Sequence, residues 1–275
     1  MDFDRLITLI DEFDLSRYQA DLLAAVRPAI FLSLSPGESS RSGQSRIGGI
    51  PDLPASLAWP KDLRWGQYLC FLLQINLAQL PTGPENPLPS QGMLYLFAHG
   101  DPNYPQQLLF YAGPEPLQSV YLPAEAELIT DWYDNLIPHR LEFQLMPDIP
   151  RWATTDFYAL CDRLDIDEVD LEDLGRSLSS GSIGQLFGHV AGIGHDPRED
   201  AYVVKQVNPE WLYNYEQRRT LDMTAAQQWQ NLLQVNSNRA VDLTFGDAGY
   251  LQILIHSHDL QQQNFSQVYV NLESS

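Results

Sequence analysis

The chain has 275 residues, of which 44% are hydrophobic and 11% aromatic, enough to fill a core, so global disorder is excluded as a description. A formal net charge of −20, with Lys61 and Lys205 as the only lysines, repels phosphate backbones and anionic lipid, so a basic protein or a cation is expected in place of nucleic acid. The plainer reading of that charge is solubility.

The longest apolar runs, Leu69 to Leu73 and Met93 to Ala98, fall far short of the roughly 20 residues a membrane-spanning helix needs. The acidic start Met1-Asp2-Phe3-Asp4-Arg5 does not read as a signal peptide. No membrane insertion is expected, and the cytoplasm is the expected compartment. Cys70 and Cys161 form neither a disulfide framework nor a zinc spacing, and read as two buried thiols.

Leu6, Leu9, Ile10 and Phe13, then Tyr18, Leu22, Leu23 and Val26, repeat at helical spacing, which predicts one or two amphipathic helices over 3–26, ended by Pro28. The Ser, Gly and Pro of 33–67 predict turns or a loop. Strands are expected at Tyr68 to Leu77, Met93 to Ala98 and Gln107 to Tyr111. The chain then turns helical and acidic, with helices at Thr155 to Leu164 and at Asp167 to Leu174, the second stopped by Gly175. Asn208 caps a helix that starts on Pro209, and Thr224-Ala-Ala-Gln227 has the spacing of a capping box. Trp59, Phe71, Leu73, Leu94, Leu233 and Leu251 are the expected core residues.

An internal repeat sets the expected architecture. Leu72-Leu73-Gln74-Ile75-Asn76 returns 160 residues later as Leu232-Leu233-Gln234-Val235-Asn236, and Gly92-Met93-Leu94 returns 157 residues later as Gly249-Tyr250-Leu251, ending on His99 and His256. Matched Gln, Asn, Gly and His are not apolar filler. Each half also has a glycine-bearing segment, Ile47-Gly48-Gly49 and Leu186-Phe187-Gly188-His189, where positive φ or a close backbone approach is expected. The fold class is therefore α+β. Two related, mostly antiparallel sheet units from an internal duplication are expected, with N-terminal and central helices. The expected division is 1–30 N-terminal helical, 31–150 first sheet-rich half, and 151–275 acidic helical segment with second sheet-rich half, all within one compact domain.

The same segments resemble the YwqG-like family, a bacterial domain family of unestablished biochemical role. The resemblance rests on Ser45-Arg46-Ile47-Gly48-Gly49, Trp59-Pro60, Phe71 to Leu77, Gly92 to Phe97, Leu186-Phe187-Gly188-His189, Asn231 to Val235, Phe245 to Gly249 and Asn264-Phe265. It implies duplicated sheets and lends no catalytic residue. The chain departs from the family at Val190-Ala191 after the second-half glycine, and at Asn236, where an acidic residue is usual.

Candidate chemistry falls into four groups. Gln74 with Asn76, and Gln234 with Asn236, alternate on their strands, so each pair projects from one face and could line a polar cleft or pair across the halves. The acidic segment Asp162, Asp165, Asp167, Glu168, Asp170, Glu172 and Asp173 lacks the glycine and distal glutamate of a calcium loop, and reads as a solvated helix face or a docking surface for a cationic protein. His256-Ser257-His258-Asp259, with Asp247, could offer two imidazoles on one strand face to a metal, although His-x-His is common in solvated turns. His99 with Asp101 and His256 with Asp259 recur as His-Asp pairs that could exchange protons or only orient a loop. Nucleophile, zinc-protease and phosphate-loop motifs are absent from the sequence. The reading is a noncatalytic protein-binding or regulatory module without a cofactor. Its alternative is a small-molecule or metal-dependent enzyme using Asp247, His256, His258 and Asp259.

Overall fold

The computed structural model describes residues 1, 3–35, 41–62, 66–98, 106–124, 126 and 136–274. Helices α1 (Asp4–Glu12) and α2 (Gln19–Ala24) bury Leu6, Ile10 and Leu22, as the helical spacing predicts. Val26 is followed at once by β1 (Arg27–Ser35). That strand corrects the turn-rich reading from residue 33 onward. It pairs on both edges, and its Ala29 to Leu32 run is buried throughout, so it carries no alternation to betray a strand.

The first half continues through β2 (Arg46–Ile47), β3 (Asp52–Leu53), β4 (Cys70–Asn76), β5 (Met93–Ala98), β6 (Gln107–Tyr111), β7 (Gln118–Ser119) and β8 (His139–Asp148). The expected strands at 68–77, 93–98 and 107–111 are β4, β5 and β6. Helix α3 spans Thr155–Leu164, and α4 (Glu168–Leu178) runs through Gly175 instead of stopping there. Gly175 is buried beside Ile149 and Arg151, where the absence of a side chain allows close packing, and its carbonyl accepts a hydrogen bond from Arg151. α1 to α4 share one apolar cluster, including Ile10, Phe157, Leu171 and Leu174.

The second half has β9 (Gly184–Phe187), α5 (Pro197–Tyr202), α6 (Tyr215–Arg218), β10 (Trp229–Asn236), β11 (Tyr250–His256), α7 (Ser257–Gln261) and β12 (Tyr269–Glu273). Asn208 does cap a segment that begins on Pro209, but it is a single 3₁₀ turn, Pro209–Trp211. The expected helix at Thr224 is likewise a 3₁₀ run, Met223–Gln228, capped by Asp222, whose side chain accepts from the Thr224 amide.

Ten strands form one antiparallel sheet in the order β12-β11-β10-β9-β1-β8-β2-β4-β5-β6. β1 and β8 lie at its centre, and the first-half and second-half strands extend outward on either side. Hydrogen-bond register slips by one residue at Leu72 between β4 and β5, and at Leu232 between β10 and β11. Leu73, Leu94, Leu233 and Leu251 are buried in the main core, Phe71 in a neighbouring cluster. Trp59 is half-buried, with its indole N–H donated to the Leu69 carbonyl at 2.7 Å. Gly48, Gly49 and Gly188 all have positive φ, near +70°, as expected. At Gly188 an added Cβ would also lie 2.5 Å from an Asp148 carboxylate oxygen. Both cysteines are buried and neither forms a disulfide, and burial pushes the pKa of the Cys161 thiol up to about 11. Among the described residues no helix is long and apolar enough to cross a membrane.

Candidate functional site

Each amide pair serves its own half. Gln74 is fully buried; its Oε1 accepts from the Asp52 amide at 2.9 Å, and its Nε2 donates to the Gln44 carbonyl at 2.8 Å and to Asp52 at 3.0 Å. Asn76 donates to the Gly43 carbonyl at 2.6 Å. Both amides thus fasten the 43–53 segment to β4. Asp52, buried at the centre of this network, also accepts from Ser119 Oγ at 2.9 Å and pairs with Arg46 at 2.5 Å. Burial pushes the Asp52 pKa up, but hydrogen bonds from Arg46, the Gly43 amide and Gln74, with the Arg46 charge, hold it below the ordinary value. In the second half Gln234 donates to Asn236 at 2.8 Å and lies 3.2 Å from the Gln252 amide.

The imidazoles of His256 and His258 do not share a strand face. The strand ends at His256, whose Nδ1 accepts the His258 amide at 3.3 Å and so caps α7, while its ring meets Trp229 edge-on. His258 then belongs to a helix, where strand parity no longer applies. Asp259 accepts from the Asn264 side chain at 2.9 Å, and Asp247 sits in the exposed 246–248 turn with its amide donated to Ser274. His99 and Asp101 lie outside the described residues. Among the described residues no group of three or more His, Cys, Asp or Glu is placed to hold a metal ion.

Asp167 caps α4 by accepting the Val169 amide at 2.8 Å, Glu168 and Asp170 are exposed, and Glu172 pairs with Arg176 one turn on. This acidic face is not uniformly polar. Val169 is 59% exposed and Tyr158 on α3 is 39% exposed, and Glu168 lies near enough to help burial raise the Tyr158 hydroxyl pKa.

A concave site forms elsewhere, from the segment between β9 and β10. Asp196 caps α5, and its carboxylate is gripped by the buried Arg198 guanidinium, which also donates to Asp156 at 3.1 Å. That anchor fixes the start of α5, so Asp200, one turn on, faces back to His195. His195 Nε2 lies 2.7 Å from Asp200 Oδ2, and Arg218 Nη1 lies 2.6 Å from Oδ1. Arg218 also donates to the Leu212 carbonyl at 2.8 Å and stands 3.6 Å from Glu199. These groups open onto a pocket of about 630 Å³, further lined by Tyr213, Tyr215 and Arg219. The hydrogen bond to Asp200 raises the pKa of His195 against the opposing effect of burial, while burial raises those of Glu199 and Glu273.

Sequence reasoning did not single out His195, Asp200 or Arg218. The run His195-Asp196-Pro197-Arg198-Glu199-Asp200 carries a helix-start signal, Asp before Pro, that would have put Asp200 one turn into a helix. Arg218 arrives through irregular turns whose path no periodicity reports.

The family model described as a domain of unknown function, DUF1963, matches residues 45–273. The chain belongs to the DUF1963 family. The YwqG-like resemblance is consistent with that family. No curated protein matches the chain. The DUF1963 match runs from just before β2 to the end of β12 and so takes in the whole pocket, while α1, α2 and β1 precede it.

Proposed function

We propose that this DUF1963 domain is a noncatalytic protein-binding module that docks a cationic protein on the acidic α3–α4 face. The observation that carries this reading is the pair of exposed apolar groups, Val169 and Tyr158, set among exposed carboxylates on a chain of net charge −20. Exposed apolar contacts supply affinity and the surrounding charge supplies steering, a division of labour common at protein interfaces. In this reading the protein works in the cytoplasm, where Cys70 and Cys161 stay reduced.

A partner cross-linked in native lysate and purified should associate more slowly as salt rises from 50 to 500 mM, since the Debye length shrinks from roughly 14 to roughly 4 Å. Its dissociation rate should change much less. Replacing Asp167 and Asp170 with Asn, and Glu168 and Glu172 with Gln, should slow association as high salt does. An equal-charge control, Glu210→Gln, Glu216→Gln, Asp242→Asn and Asp247→Asn, should slow it less. A partner whose association rate responds equally to the two quadruple variants would refute docking on this face.

We infer further that the sheet arose by duplication, β2, β4, β5 and β6 corresponding to β9, β10, β11 and β12. Three observations support it: the mirrored strand order about β1 and β8, the register slips at Leu72 and Leu232, and the opposition of Gln74 to Arg46 and of Gln234 to Gln185. The domain boundaries 1–30, 31–150 and 151–275 then need one adjustment in this reading. β1 precedes the first repeat yet pairs with β9 of the second, so the halves are not separable in sequence.

A further inference from the structure

We propose that the pocket between the 194–200 turn and the 212–223 segment binds a small aromatic monocarboxylate, its charge held by Arg219 and His195 and its ring by Tyr213 and Tyr215. This inference is independent of docking on α4, since it uses none of the same residues and asks for a ligand of opposite charge.

The electrostatics of the pocket differ from those of the chain around it. Three basic side chains, His195, Arg218 and Arg219, line it on a protein with only 16 Lys and Arg against 36 Asp and Glu. Their partners separate them into two kinds. Arg218 is consumed by Asp200, the Leu212 carbonyl and Glu199, and cannot receive a ligand without giving one up. Arg219 is exposed, and its guanidinium makes no hydrogen bond or ion pair with any described residue. His195 spends Nε2 on Asp200, which leaves Nδ1 without a partner among the described residues, while its side chain is 49% exposed. Asp200 favours the protonated ring, so Nδ1 is a donor over a wider pH range than in an isolated imidazole.

The balance of charge limits the ligand. With His195 protonated, the cations His195, Arg218 and Arg219 are matched in number by Glu199, Asp200 and the nearby Glu273, but Arg219 has no carboxylate partner among the described residues. A single negative charge meets the unpaired Arg219 and the His195 Nδ1 donor, whereas the second charge of a dianion would face Glu199 and Glu273. The other surfaces are apolar or aromatic. Tyr213 and Tyr215 are 79% and 69% exposed, far more than the other tyrosines of the second half, and Leu212, Leu221 and Met223 complete the wall. Exposed tyrosines beside a concavity offer flat faces for a ring. The volume of about 630 Å³ lies within the range of small-molecule sites, roughly 300 to 1,000 Å³.

The test uses benzoate, with benzyl alcohol as its neutral counterpart and phenyl phosphate as the dianion, each titrated into the full chain and followed by calorimetry and by ligand-observed NMR. Benzoate should bind saturably with a Kd on the order of 1 mM, as befits so few atoms. Benzyl alcohol should bind about tenfold more weakly, and Arg219→Ala should cost benzoate a similar factor, the worth of one charge-assisted contact. Glu199→Gln should strengthen benzoate severalfold by removing the competing carboxylate. Arg219 and Glu199 both lie at the protein surface or its margin, and unchanged circular dichroism would show that the variants keep the fold. The proposal is overturned if benzoate does not saturate, if benzyl alcohol binds equally well, or if Arg219→Ala leaves affinity unchanged. Phenyl phosphate binding tenfold tighter than benzoate would also overturn it, because the occupant would then be a phosphate ester.

Discussion

The two halves of the sheet differ most where β2 joins β4 and where β9 joins β10. In the first half the connection, 48–69, is short, and a buried charged network pulls it onto the sheet: Asp52 is held by Arg46, Gln74 and Ser119, and Tyr95 donates to the Asp52 carbonyl at 2.7 Å. In the second half the connection, 188–228, is nearly twice as long: its start packs on β10 and β11 through Val190 and Ala201 and is held by the buried Asp196–Arg198 pair, and the remainder runs on through α6 and the irregular turns that line the pocket. The residue facing Gln234 in register is Gln185 where Arg46 faces Gln74, so the equivalent place in the sheet carries no charge. Strands placed alike on the two sides of the sheet centre therefore carry connections of different extent, one fastened onto the sheet along its length and the other fastened at its start and open at a pocket beyond.

The largest expected effect tests the charged network. Arg46→Met leaves the buried Asp52 carboxylate without its cation and should cost about 3–5 kcal/mol in denaturant unfolding. Gln185→Met should cost less, about 1–3 kcal/mol, since Asp148 keeps Arg151 and the His189 amide as partners. Equal costs would mean that the two networks do not differ in kind. Acid sharpens the same contrast. Asp52 has a folded-state pKa below its unfolded value of 3.8, so its contribution is complete above that value and is lost as the pH falls through the folded one. Arg46→Met should remove that component of acid sensitivity, as seen by comparing unfolding free energies at several acidic pH values.

The next effect tests what the halves share. Leu73 and Leu233 are each 1% exposed and each follows the register slip of its strand. Leu73→Ala and Leu233→Ala should each cost about 2–5 kcal/mol, with similar values for the two. If one melts with the wild type and the other far below it, the strands are alike in pairing but not in packing.

Legibility in the sequence followed the physics of each element. β4, β5 and β6 were readable because turn-rich connections set off their apolar runs, and α3 because Thr154 caps a helical period, its hydroxyl accepting the Phe157 amide. β1 and β8 were not, although they form the middle of the sheet; β1 is buried on both faces, and β8 mixes Arg140, Glu142 and Gln144 into a strand whose register comes from β1. Gly175 does not end its helix as expected, because a glycine in a helix can serve close packing as well as termination. Among the candidate residues, the amides Gln74 and Asn76 stood out by their spacing, but only the fold shows what they fasten. The pocket was invisible for a different reason: His195 and Arg218 are brought together by turns that Asn208, Asn214 and Asp222 cap locally, with no period to follow.

The smallest effect concerns the open connection itself. His195 has a folded-state pKa above its unfolded value of 6.5, with the Asp200 hydrogen bond as the main cause. A raised pKa means that the stabilisation is fully present below the unfolded value and fades as the pH rises through the folded one. The wild type should therefore lose stability relative to His195→Gln across neutral to mildly alkaline pH, and the two should run parallel above that window. Because the imidazole is half exposed, water screens the pair and the difference should not exceed about 1 kcal/mol. That modest size marks the contrast with Arg46 and Asp52, where the same kind of pairing is buried. An NMR titration of the His195 ring gives the direct measurement. An apparent pKa at or below 6.5 would show that Asp200 serves Arg218 alone, and would remove His195 as a standing donor in the pocket.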